Sequence, residues 1–275
     1  MRKIFSYIRL GFTAGIKIIF YDLFYFRKYA KHPEKYSYEE RYARLRKLTL
    51  SVLKSYHVKY IVEGEEYLKN IDGKVLFLSN HLSEADPLVY IALSEKPISF
   101  VAKKESLDMP FIGTIIKVLD GVPIDRHNIM NQLSEIKRIV NFIKSNPGPN
   151  VMIFPEGTRN RNPETPCLEF KGGSIKMGYM AKVPIIPISL YGSQRILSAK
   201  HYLKQYPVFV KIHKPITQED YKDIKSVDLA DSIAKEINAD VDNFRKLDIV
   251  EVSKQKGLGK KRRMFEVRAD KKLPS

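Results

Sequence analysis

The sequence predicts an α/β fold: a mostly parallel sheet flanked by helices, preceded by an N-terminal amphipathic two-helix segment. Three observations carry that expectation. From Val58 onward, apolar runs of strand length alternate with stretches of helical periodicity, the pattern of βαβ units. Before Val58 the apolar residues recur at helical spacing instead. Charge is also segregated: residues 1–60 hold 14 basic and 4 acidic side chains, residues 254–275 hold 9 and 2, and the rest holds 25 of each. The net charge of +17 in 275 residues therefore belongs to the two ends. Such an excess seeks polyanions such as lipid headgroups, phosphorylated substrates or nucleic acid.

The elements follow in chain order. Ile4–Phe26 is apolar and aromatic but is interrupted by Arg9, Lys17 and Asp22. Its longest uncharged run, Leu10–Ile16, is far below the ~18 residues of a spanning helix. Wound as a helix, Arg2, Ser6, Arg9, Thr13 and Lys17 fall on one stripe, and Ile4, Phe5, Ile8, Phe12, Ile16, Ile19 and Phe20 cover most of the rest. That is the pattern of a segment lying in a membrane surface. A helix packed on the protein's own core is the plainer alternative. A signal peptide fits less well, because charges interrupt the apolar stretch. A second helix spans Ser37–Tyr56, with Ser37 and Glu40 as a capping box and Pro33 in the connection. Residues 1–57 thus read as a membrane-associating helical hairpin, 58–250 as the α/β domain, and 251–275 as a basic, disordered tail.

Within the domain, Val58, Tyr60 and Val62 alternate with Lys59, Ile61 and Glu63, a strand that Gly64 ends. Strands are expected at Val75–Ser79, Ile98–Ala102, Val122–Ile124, Val151–Phe154, Ile185–Leu190 and Val208–Ile212. Helices are expected at Pro87–Ser94, Phe111–Leu119, Asn131–Lys144, Gly173–Lys182 and Ser226–Arg245.

Several chemistries are excluded early. The single cysteine, Cys167, permits no intramolecular disulfide framework and no four-Cys zinc site. There is no Gly-x-Gly-x-x-Gly, Walker loop, Gly-x-Ser-x-Gly elbow or His-Glu-x-x-His. This argues against nucleotide cofactors, an α/β-hydrolase serine and a zincin. His32, His57, His127, His201 and His213 lack a second His or Cys at ligand spacing and read as solvated or internally satisfied.

His81 differs. Ser79-Asn80-His81-Leu82-Ser83-Glu84-Ala85-Asp86-Pro87 follows a buried strand, at the end where α/β proteins place their sites. Pro87 suits the first position of a helix, which makes Asp86 its expected N-cap and leaves His81 in a loop. The Asp86 carboxylate could then hold one ring nitrogen and leave the other as a base. Spacing alone favours the plainer reading, a loop histidine beside a routine Asp-Pro cap. Two further clusters follow strands: Gly121-Val122-Pro123-Ile124-Asp125-Arg126 and Phe154-Pro155-Glu156-Gly157-Thr158-Arg159. Glycine admits close backbone approach and arginine binds phosphate bidentately. An ordinary turn with an Asp–Arg or Glu–Arg pair fits each equally.

In order along the chain stand Asn80-His81-x4-Asp86, Gly121-x-x-Ile124-Asp125-Arg126, Phe154-Pro155-Glu156-Gly157-Thr158-Arg159 and Val183-Pro184-Ile185-Ile186-Pro187-Ile188. Together they resemble the glycerolipid acyltransferase family, the 1-acylglycerol-3-phosphate O-acyltransferases (lysophosphatidic acid acyltransferases) of phospholipid biosynthesis. Val101–Glu105 and Phe170–Gly173 resemble the intervening segments, so the likeness covers roughly Val58 to Leu190. Pro123 stands where the family usually has an aromatic or apolar residue, and Gly172 where it often has a basic one.

The resemblance implies a glycerolipid acyltransferase-like sheet and transfer of a fatty acyl group from a thioester to a glycerolipid hydroxyl. It implies His81 as general base and Asp86 as its orienting carboxylate. Arg126 and Arg159, with Lys103 as a weaker third, would bind the acceptor phosphate. Glu156, Gly157 and Thr158 would shape that pocket, and Pro187 would lie on the acyl side. No metal or cofactor is implied, because a thioester is already activated. The partners implied are lysophosphatidic acid, acyl-CoA or acyl-carrier protein as donor, and an anionic membrane surface. The location implied is peripheral or monotopic, on the cytoplasmic face of the cell membrane. Other readings are the same chemistry on glycerol 3-phosphate or a lysophospholipid, and a non-catalytic membrane-binding relative. Nucleic acid is not an expected partner, because the body is charge-neutral and no recognition motif is visible.

Overall fold

The computed structural model describes residues 14–125, 132–145, 148–197 and 203–255. Its sheet has seven strands in the order β1 (Val58–Glu63), β7 (Tyr206–Ile212), β6 (Ile185–Tyr191), β2 (Leu76–Ser79), β5 (Asn150–Ile153), β3 (Ile98–Lys103) and β4 (Val122–Ile124). All pairings are parallel except that of β6 with β7. Every residue of β2, β5 and β6 is buried. These strands are covered on both faces, which is why they read as unbroken apolar runs rather than alternating ones.

The period-2 pleat sends successive side chains to opposite layers. Phe77, Ile186, Ile188 and Val208 join one core with α3 (Tyr38–Ser55) and α5 (Asp86–Leu93). Leu76, Leu78, Ile185 and Phe209 join the other with α7 (Gln132–Lys144), α8 (Gly172–Ala181) and α10 (Ser226–Ser253). Short helices α4 (Glu66–Lys69), α6 (Ile112–Val118) and α9 (Gln218–Tyr221) fill the connections.

The N-terminal segment belongs to the first of these cores. It comprises α1 (Ile16–Tyr21), a π-helical turn at Asp22–Phe26, α2 (Arg27–Lys31) and then α3. Phe26, Tyr29, Tyr42 and Leu45 are buried with the sheet residues. The opposite side of the same helical run exposes Ile16, Ile19, Phe20, Leu23 and Phe24, between 47% and 72% accessible. Their spacing is one continuous helical stripe. Of the expected basic stripe, Arg2, Ser6, Arg9 and Thr13 lie outside the described residues, and Lys17 turns to α3, donating to Ser51 Oγ at 2.8 Å. Among the described residues no helix is long and apolar enough to cross a membrane.

Two local expectations change. Ser37 caps α3, its hydroxyl accepting from the Glu40 amide at 3.1 Å, but the Glu40 carboxylate accepts from the Tyr29 hydroxyl at 2.9 Å instead of closing the box. The reciprocal capping box is at Thr217 and Asp220. The last helix also runs past Arg245 to Ser253, so the expected tail boundary at 251 falls inside it. Its buried stripe contains Ile233, Ile237, Val241, Phe244, Asp248 and Val252. Asp248 interrupts the apolar periodicity, and the structure neutralises it with Arg195, whose Nη1 and Nη2 each donate to a carboxylate oxygen at 2.7 Å. The rest of the basic tail, 256–275, lies outside the described residues.

Candidate active site

β2 ends at the chemistry. Asn80 is fully buried and stitches the end of β2 to β6, donating to Leu190 O and accepting from Leu190 N, both at 2.9 Å. The next residue, His81, leaves the sheet into the loop. Its Nδ1 lies 2.7 Å from Asp86 Oδ2, and among the described residues Nδ1 is the engaged ring nitrogen. Phe154 stacks on the imidazole, with ring centroids 4.1 Å apart and planes 17° from parallel.

Asp86 is completely buried. Its Oδ2 accepts from His81, from Leu82 N at 2.7 Å and from Ser83 N at 2.9 Å, while Oδ1 accepts from Ser193 Oγ at 2.6 Å. The carboxylate is therefore not the helix cap expected from the sequence. Ala85 is the N-cap, Asp86 is the first helical residue, and its side chain faces backward into the loop. The curl of Leu82–Ala85 brings two earlier amides around one oxygen, which the carboxylate satisfies in place of the helix's own first amides. Burial, and next the Asp86 charge, hold the nearby Tyr90 phenol well above its ordinary range.

The loop after β5 clamps the main chain of His81. Glu156 Oε1 accepts from His81 N at 2.6 Å, and Asn160 N donates to His81 O at 2.7 Å. The other oxygen of Glu156 accepts from Leu168 N at 2.9 Å. Glu156 is thus a buried strut, and burial raises its titration above the usual carboxylate range despite the two amides that oppose the shift. Gly157 has φ +68°, and a side chain there would meet the Lys171 ammonium at 3.0 Å. Thr158 is exposed. Arg159 does not pair with Glu156; its Nη1 donates to Glu84 Oε1 of the His81 loop at 2.7 Å. Lys103, the last residue of β3, pairs with Glu105 at 3.1 Å. Since β2, β3 and β5 are parallel, Lys103 and the loops of His81 and Arg159 share one end of the sheet. Arg126 lies outside the described residues, as do His127 and His201. Pro187 is buried within β6.

His213 is the satisfied histidine expected. Its Nδ1 lies 2.9 Å from Glu236, and its Nε2 lies 2.9 Å from both Ser189 Oγ and Asp240. Ser189 is fully buried and donates to Asp240 at 2.8 Å, so this Ser–His–carboxylate set is closed to substrate. Among the described residues no three His, Cys, Asp or Glu side chains gather to hold a metal ion. Sequence reasoning missed Asn80, Asn160 and Ser193 as supports of the His81 loop. Only Gly192, whose φ is +96°, marks the turn that delivers Ser193.

A family model described as acyltransferase matches residues 59–191. A protein named probable 1-acyl-sn-glycerol-3-phosphate acyltransferase from Mycoplasma pneumoniae is 30% identical over 226 residues, spanning 77% of this chain and 82% of that protein. Its namesake from Mycoplasma genitalium is 30% identical over 243 residues, spanning 84% and 85%. The fold is shared with the 1-acyl-sn-glycerophosphate (LPA) acyltransferase PlsC from Thermotoga maritima, with a TM-score of 0.69, 23% identity and coverage of 89% and 98%. An acyltransferase is the class these likenesses define. The chain belongs to the glycerolipid acyltransferase family, whose relatives here are the 1-acyl-sn-glycerol-3-phosphate acyltransferases.

Proposed function

We propose that this protein transfers a fatty acyl group from an acyl thioester to the free hydroxyl of 1-acylglycerol 3-phosphate, giving phosphatidic acid. The observation that carries the mechanism is the 2.7 Å contact between His81 Nδ1 and the buried Asp86. A carboxylate on Nδ1 fixes the tautomer with its proton there and leaves Nε2 as the base. Nε2 takes the acceptor hydroxyl proton as the oxygen attacks the thioester carbonyl. The tetrahedral adduct collapses, the C–S bond breaks, and the imidazolium returns its proton to the departing sulfur. Asp86 stabilises that imidazolium between the two transfers. An assay offering acyl-CoA and acyl-carrier-protein donors against lysophosphatidic acid, glycerol 3-phosphate and lysophospholipids tests the reading. Phosphatidic acid from lysophosphatidic acid is the expected product. Turnover confined to another acceptor overturns the assignment of substrate.

In this reading Arg126 and Arg159 bind the acceptor phosphate, with Lys103 at the rim. Gly157 and Thr158 give the loop its close approach, and Glu156 holds it against His81. Arg159 pairs with Glu84, and in this reading the acceptor phosphate competes with that carboxylate for the guanidinium. Arg159→Ala is expected to raise the acceptor KM roughly 10- to 100-fold, the worth of a charge-assisted phosphate contact, and to leave the donor KM within twofold. Equal effects on both constants would assign Arg159 a structural role instead.

The exposed stripe of Ile16, Ile19, Phe20, Leu23 and Phe24 supports attachment to a membrane surface, peripheral or monotopic on its cytoplasmic face, where the lipid acceptor resides. Truncating residues 1–30 would also remove Phe26 and Tyr29 from the core, so substitution is the cleaner test. Replacing Ile19, Phe20, Leu23 and Phe24 with serine is expected to weaken vesicle binding about a hundredfold or more, from the apolar area lost. Activity on a short-chain acceptor in solution stays near normal. If the variant floats with vesicles as the intact protein does, the anchor lies elsewhere.

A further inference from the structure

We propose that Ser193 is a positioning residue for the acyl transfer, holding the Asp86 carboxylate in the rotation that presents Oδ2 to His81. The inference rests on the general-base reading of His81. Asp86 divides its oxygens: Oδ2 serves the imidazole and two loop amides, and Oδ1 has Ser193 Oγ at 2.6 Å as its partner among the described residues. Both residues are fully buried, so bulk solvent does not reach the place of that hydroxyl. A buried carboxylate with one oxygen unpartnered is costly, and turning about its own bond is the way to relieve it. Such a turn takes Oδ2 off the imidazole.

The turn that carries Ser193 is itself fixed. It is a single 3-10 turn, Ser193–Arg195, directly after β6. Gly192 enters it at φ +96°, and a side chain there would lie 2.3 Å from Pro207 O, so glycine alone passes over β7 at this point. Arg195 then locks the far side with two bonds of 2.7 Å to the buried Asp248 of α10 and one of 2.9 Å to Pro207 O. So braced a turn fixes the position of Ser193 Oγ beside Asp86 Oδ1. Ser193 differs from Ser83, whose hydroxyl accepts locally from the Ala85 amide and whose backbone N–H, not its side chain, reaches Asp86.

The consequence separates positioning from mere packing. Without the hydroxyl the carboxylate turns, Oδ2 leaves the imidazole, and the ring loses the partner that holds its tautomer and orientation. Substrate binding, which uses other residues, is left as it was.

The test compares wild type, Ser193→Ala, Ser193→Cys and His81→Ala. For Ser193→Ala, kcat is expected to fall about tenfold, with both KM values within twofold. Ser193→Cys, of similar size but with a weaker donor, is expected to fall between serine and alanine. Thermal unfolding of each variant should stay within a few degrees of wild type, which keeps folding apart from catalysis. Wild-type kcat in Ser193→Ala, with His81→Ala inactive, overturns the role of Ser193 and leaves the general base standing. A loss of rate with both KM values changed alike, or with a large drop in unfolding temperature, or without partial rescue in Ser193→Cys, assigns Ser193 to packing and also overturns it. An active His81→Ala removes the reading on which the inference rests.

Discussion

His81→Ala is expected to lower kcat by about 10²- to 10⁴-fold, the range that a positioned general base contributes, with both KM values little changed. The protein should remain folded. The main chain of His81 is held by Glu156 and Asn160, and neither contact uses the imidazole. Asp86 keeps two backbone amides and the Ser193 hydroxyl when the ring is gone. What is lost structurally is the stacking on Phe154, worth about 1 kcal/mol. Steady-state kinetics beside a thermal melt and vesicle flotation check the result. Near-normal turnover in a folded, membrane-bound variant removes His81 from the chemistry.

Asp86→Asn should be nearly as damaging, about 10²- to 10⁴-fold in kcat, because a neutral amide does not stabilise the imidazolium that forms between the two proton transfers. Its stability should suffer less than burial alone suggests. The one remaining oxygen can still accept from Leu82 N and Ser83 N, and the new amide can donate to Ser193 Oγ, a hydroxyl free to rotate. Asp86→Ala has no such exchange and leaves two amides and a hydroxyl unpaired, at about 1–3 kcal/mol each. The pair of variants therefore separates charge from scaffolding. If Asp86→Asn keeps most of its turnover while Asp86→Ala unfolds, the carboxylate serves the loop and not the base.

The alternation of strands and helices, the Ser37 cap and the placement of His81 after a buried strand were legible because each is written in local spacing. Residues that act across the sheet were not. Nothing near Ser193 in the chain announces Asp86, and nothing near Glu156 announces the His81 amide. The Glu40 carboxylate went to Tyr29 because the preceding helix folds back beside it, which no capping pattern encodes. The end of α10 escapes its periodicity for an energetic reason: Asp248 lies on the core stripe and interrupts its apolar period, and the buried Arg195 accounts for its presence. The antiparallel pairing of β7 with β6 likewise depends on how the chain crosses to lie between β1 and β6, not on any residue within β7. The four ordered motifs made the site readable through family likeness. The supporting hydrogen bonds join residues far apart in the chain and arise only in the folded sheet.

Sheet order has a consequence for assembly. β1 pairs with β7, Val58 beside Tyr206, and β2 gains β6 as a neighbour only after most of the domain has been made. Contacts of such long sequence separation close large loops, which slows folding and leaves intermediates with incomplete pairing. The partner of Asp86 Oδ1 arrives on the loop after β6, 107 positions later in the chain. A nascent chain that has completed β5 and the loop after it already contains His81, Asp86, Glu156 and Arg159, yet it holds a carboxylate with one oxygen unserved and a β2 lacking a neighbour. Catalytic competence is therefore gained late, when β6 and β7 dock, and a chain halted before them carries the first three motifs without the site.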